Sequence, residues 1–102
     1  MTTTQITGRQ LKTSTRTVTA TTTELATDAN GTIVCDKATA MTVNLLAATG
    51  SGRQVTVKSV NIGVVTVDPL NAETIDNETT QALGLNDSMT LVDYASGKWV
   101  IV

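Results

Sequence analysis

Every apolar run in this chain is short, and from Thr32 onward the runs alternate with polar residues and stop at turn signals. Asn30-Gly31, a type I′ hairpin signal, leads into Thr32-Ile33-Val34-Cys35. Met41, Val43 and Leu45 alternate with Thr42 and Asn44, and Val55 and Val57 with Gln54, Thr56 and Lys58. Asn61 and Gly63 turn the chain into Val65-Thr66-Val67, which Asp68-Pro69-Leu70-Asn71 closes. Glu73-Thr74-Ile75, Met89-Thr90-Leu91-Val92 and Lys98-Trp99-Val100-Ile101-Val102 complete the series. No stripe of helical period competes with this pattern, and Leu45 to Ala48 has room for one helical turn at most. The spacing predicts an all-β fold, a small antiparallel β-sandwich or barrel-like body.

Composition agrees with strands and narrows the chemistry. Threonine is the commonest residue, and β-branched side chains suit a pleated surface better than a helix. Aromatic residues make up 2% of the 102 residues, one Trp and one Tyr, so the core must be aliphatic. A single domain of this length buries roughly 60–65% of its unfolded surface, a thin margin for which oligomerisation is a common remedy. The chain has no His, which removes Ser-His-Asp and Cys-His catalysis and imidazole metal ligands. Its single cysteine, Cys35, excludes an internal disulfide and a Cys-cluster zinc site. A non-enzymatic protein without metal or cofactor is expected. No charged stretch leads into an apolar run at the start, and no run approaches the ~18 residues of a membrane span, so neither export nor membrane insertion is expected.

Charge divides the chain. Residues 1–23 carry Arg9, Lys12 and Arg16 and no acid, whereas all 9 acids lie from Glu24 onward. That split suggests an extended Thr-rich basic arm, residues 1–27, on a β-body, residues 28–102. Ile6, Leu11 and Val18 are the arm's larger apolar groups, too few for a core of its own. Together with Arg9, Lys12 and Arg16 they are the expected docking residues, aimed at an acidic protein surface. The three bases lack the density and aromatic interleaving of a nucleic-acid patch.

Within the body, Trp99, Val100 and Val102 are expected at an oligomer interface, because Val100 and Val102 point opposite to Trp99 and Ile101 and make the last strand apolar on both faces. Tyr94 is a candidate ligand contact; both aromatics also suit plain packing. Asp28-Ala29-Asn30-Gly31 and Asp76-Asn77-Glu78 offer oxygen ligands, but turn chemistry explains them better than Ca²⁺ binding. Asp68 with Glu73 or Asp76 reads as turn caps sooner than as a glycosidase pair.

Residues 50–102 carry a more specific pattern. Gly52-Arg53-Gln54-Val55-Thr56-Val57-Lys58, then Val65-Thr66-Val67-Asp68-Pro69, Glu73-Thr74-Ile75-Asp76 and a Ser88-Met89-Thr90-Leu91-Val92 … Gly97-Lys98-Trp99-Val100-Ile101-Val102 ending resemble the small β-domains of bacteriophage head fibres, capsid decoration proteins and tail fibres. Gln5-Ile6-Thr7-Gly8-Arg9-Gln10-Leu11-Lys12 resembles the attachment leaders of phage fibre proteins. The resemblance implies a homotrimeric virion structural protein, assembled in the host cytoplasm and decorating a capsid or forming a head fibre. The alternatives are a tail-fibre or receptor-binding tip, or a carbohydrate-binding module that meets host surface glycan.

Overall fold

The computed structural model describes residues 14–102 and places their strands in two β-sheets, with one 3-10 turn (Ala26–Asp28) and no α-helix among them. The strands are β1 (Thr15–Val18), β2 (Thr22–Thr23), β3 (Thr32–Cys35), β4 (Met41–Asn44), β5 (Gln54–Ser59), β6 (Val65–Asp68), β7 (Thr74–Ile75), β8 (Gln81–Leu83), β9 (Ser88–Ala95) and β10 (Lys98–Ile101). A six-stranded sheet has the order β1-β3-β5-β9-β10-β7, and a four-stranded sheet the order β2-β4-β6-β8.

Parallel pairing decides the architecture. Thr15 lies beside Thr32 and Thr32 beside Thr56 in one sheet; Thr22 lies beside Val43 and Val43 beside Val67 in the other. The chain thus visits one sheet, crosses to the second, and returns one rung further on, which is the path of a β-solenoid. The antiparallel sandwich or barrel expected from the turn signals is therefore corrected. Successive strands from β1 to β6 belong to different sheets and cannot pair as hairpins. Asn30-Gly31 illustrates the reason: Asn30 takes φ 61°, but Gly31 does not follow it to positive φ as a type I′ turn requires. The pair instead turns a corner. Gly31 is needed there because a Cβ would come within 2.6 Å of the Ser14 carbonyl oxygen.

Alternation along each strand sorts the side chains as a two-layer core demands. Ile33, Val57 and Met89 stack inside the larger sheet, and Met41, Val65 and Leu83 inside the smaller one, all buried. The outward phase carries a row of threonines, Thr15, Thr32, Thr56 and Thr90, on neighbouring strands. The last two share a hydroxyl hydrogen bond of 2.9 Å.

The C-terminal side of the stack is closed by a change of strand direction. At the C-terminal end β9 turns against β5 and pairs antiparallel with β10, while β8 closes the smaller sheet antiparallel to β6. On β1 Arg16 occupies the register position beside Ile33, so a charge stands where β3 and β5 carry aliphatic groups. Its guanidinium makes a two-pronged pair with buried Asp28, at 3.1 Å from Nε and 2.8 Å from Nη2.

Gly63 tests the close packing of the β5–β6 corner. Its N–H donates to the Lys37 carbonyl at 3.0 Å, and a Cβ would collide with the Thr39 carbonyl. Gly63→Ala should lower the unfolding free energy by about 2 kcal/mol or more in urea titration, because the obstructing atoms are backbone and cannot swing aside.

Candidate functional site

Three acids are buried among the described residues, Glu24, Asp28 and Asp93, and two of them meet one base. Glu24 follows β2, Arg53 precedes β5, and Asp93 continues the inward phase of Met89 and Leu91 on β9. Arg53 Nε donates to Glu24 Oε2 at 3.1 Å and Nη1 to Asp93 Oδ2 at 3.4 Å. Nη2 also donates to the Ala47 carbonyl at 3.3 Å, and the guanidinium lies 5.0 Å from the centre of the Trp99 ring. Planar, multiply donating and weakly hydrated, Arg suits this position where Lys would not.

The corner loop 45–53 completes the network. Glu24 Oε1 accepts the Leu46 N–H at 2.9 Å. Asp93 accepts the Arg53 N–H at 2.8 Å, the Thr49 N–H at 3.2 Å and the Ser51 hydroxyl at 3.2 Å. Burial opposes charge on Asp93, but the N–H groups of Thr49 and Arg53 outweigh it and hold the carboxyl below its usual range. Asp28 is likewise lowered: burial works against its charge, and the hydrogen bonds from Arg16 and the Leu25 N–H prevail. These carboxylates have their oxygens engaged by the protein itself. The cluster is a structural clasp.

Comparison with family models, curated proteins and solved structures finds no match to this chain. The site is therefore read from its own geometry. Among the described residues no helix is long and apolar enough to cross a membrane, and no group of three or more acids and cysteines gathers as a metal site.

The residues singled out in the sequence are dispersed. Ile6, Arg9, Leu11 and Lys12 lie outside the described residues. Arg16 and Val18 are half-buried on β1, in register with Ile33 and Cys35. The described part of the expected arm, residues 14–27, pairs with the body: β1 lies parallel beside β3, and β2 beside β4. Trp99 is 1% exposed within the single chain and belongs to the core; alternation puts Val100 and Val102 on the other face, Val102 at 72% exposure. Within the single chain Trp99 packs inward, in register with Asp93 and Ile75. Its indole N–H is buried without a hydrogen-bond partner. Tyr94 is the extra residue of a β-bulge between Asp93 and Ala95 and is 54% exposed.

The turn acids behave as caps. Glu73 accepts the Ala48 N–H, and Asp76, at φ 51°, accepts the Ile101 N–H. Cys35 is buried, and burial pushes its thiol up to about 11, which makes it a poor nucleophile. The Glu24–Arg53–Asp93 clasp itself was missed in the sequence. An acid at the inward phase after Met89 and Leu91 was the available signal.

Arg53→Met should destabilise the fold by about 3–5 kcal/mol, since two carboxylates would stay buried without their countercharge. Acid should weaken the wild type for a related reason. A carboxyl whose folded pKa is depressed adds stability above its unfolded value of about 3.9, and that contribution disappears as pH falls through the folded value. Melting temperature should therefore hold between pH 7 and about pH 5 and decline below about pH 4, with a shallower acid limb in Asp93→Asn.

Proposed function

We propose that the protein is a non-enzymatic structural component of a bacteriophage virion, a homotrimeric capsid-decorating or head-fibre protein docked through its N-terminal arm. The observation that carries the reading is the outward face of the C-terminal cap. Val92 pairs with Val100 across β9 and β10, with exposed Tyr94 on β9 and exposed Val102 just past β10, while Leu91 and Trp99 fill the core behind them. A hairpin apolar on both faces is a surface made for assembly. The segments that resemble phage fibre domains coincide with β5, β6, β7, β9 and β10, the strands that form and support this cap.

Docking then rests on the basic residues ahead of the first rung. Arg16 already neutralises Asp28 at 2.8 Å, which leaves Arg9 and Lys12 to meet an acidic capsid surface. Exposed pairs of this kind contribute about 0–1 kcal/mol each and weaken with salt.

Sedimentation equilibrium at micromolar concentration should give three times the 10.6 kDa chain mass, and Val100→Asp should dissociate the assembly while the β circular dichroism persists. A 10.6 kDa species at that concentration would sink the trimer. Arg9→Ala with Lys12→Ala should lower loading onto virions with no loss of melting temperature. Arg16→Ala should do the reverse, lowering the melting temperature because Asp28 stays buried without its partner.

A further inference from the structure

The corner where β2, β4 and β6 end carries a groove that the structural reading above does not use. Thr23 lies beside Asn44 and Asn44 beside Asp68, one polar side chain per rung, all on the outward phase. The chain then turns, and Leu46, Leu70 and Asn71 wall a cavity of about 300 Å³ over this row. Among the described residues the side chains of Asn44, Asp68 and Asn71 take no hydrogen bond from the protein, although Asn44 and Asp68 are only half-exposed. The wall is stiff, because Glu24 holds the Leu46 N–H and Arg53 holds the Ala47 carbonyl.

We propose that this groove binds a neutral saccharide. Two amides, a carboxylate and a hydroxyl offer donors and acceptors in the mixture that sugar hydroxyls require, and rungs about 4.8 Å apart set adjacent groups within the span of one sugar ring and the outer two, about 10 Å apart, within the reach of a disaccharide. Leu46 and Leu70 supply the apolar surface for the ring's C–H face. No Lys or Arg lines the cavity, and Asp68 repels anions, so phosphorylated or sulfated ligands are disfavoured. A small, mostly apolar concavity with a few convergent polar groups is the usual form of a ligand site. The inference does not rest on the virion reading, and either holds without the other.

The test is amide NMR of the full chain titrated with maltotriose, cellobiose and N,N′-diacetylchitobiose, with a heparin disaccharide as the charged control. At least one neutral probe should shift the amides of residues 44–47 and 68–71. Asp68→Ala and Asn44→Ala should each weaken that binding tenfold or more with melting temperature unchanged, since neither side chain has a hydrogen-bond partner among the described residues. Silence from all three neutral probes up to tens of millimolar would overturn the proposal. So would shifts centred on Tyr94, or tighter binding of the heparin disaccharide at this corner. If Leu70→Asp instead dissociated an oligomer while the wild type ignored every sugar, the groove would be an interface between copies, and the proposal would fall.

Discussion

Arg53 is the residue on which the rest of the solenoid depends. It stands where four parts of the chain converge: Glu24 from the first rung, Ala47 from the second, its own β5 from the third, and Asp93 and Trp99 from the cap. Stacked parallel strands bond only to their immediate neighbours, so nothing in the ladders themselves ties the first rung to the last. A long planar cation fills that need because it can donate in several directions at once. The arrangement holds one positive charge against two buried negative ones. The deficit on Asp93 is made up by the N–H groups of Arg53 and Thr49 and the Ser51 hydroxyl, which places the geometry of loop 45–53 under the same control.

This explains why the strands were legible in the sequence and the fold was not. Alternation located β3, β4, β5, β6, β9 and β10 because period-two burial is a property of each strand alone. Pairing is a property of two strands, and here the partner lies one full circuit away in sequence. Thr15 meets Thr32, but Thr32 meets Thr56, so the circuits differ in length and no fixed repeat appears. Turn residues misled for the same reason. Asn30, Asn71, Asp76, Asn77 and Asn86 all take positive φ, as turn chemistry expects, but a solenoid corner and a hairpin use such residues alike. Thr15–Val18 was hidden by composition: a threonine-rich segment with one large aliphatic group looks unfit to fold alone, and it folds by borrowing the edge of β3.

The C-terminal cap shows how a repetitive architecture is closed. At the cap, β8 and β9 run antiparallel to β6 and β5, and Trp99 supplies bulk beside Ile75 of the edge strand β7. On β1, the inward position held by Ile33 and Val57 in the next coils is given to Arg16. Because Asp28 is fixed by the Leu25 N–H at 2.7 Å, the pair is anchored to the corner and its cost of burial is shared.

Function in such a body has to sit on the outside. The inward phase is committed to aliphatic packing, and the ionisable groups that enter it, Glu24, Arg53, Asp93 and the Arg16–Asp28 pair, are bonded to one another and to backbone. The outward phase is free of that constraint and repeats side chains at rung spacing, so one substitution per coil builds a row. Thr15, Thr32, Thr56 and Thr90 form one such row, and Thr23, Asn44 and Asp68 another. The second differs because its strands end together at a turn, where Leu46 and Leu70 rise beside the polar groups and convert a flat row into a concave one. The Arg53 clasp that joins the rungs also holds the loop behind this groove, so the interaction that makes the fold coherent keeps the recognition surface in shape.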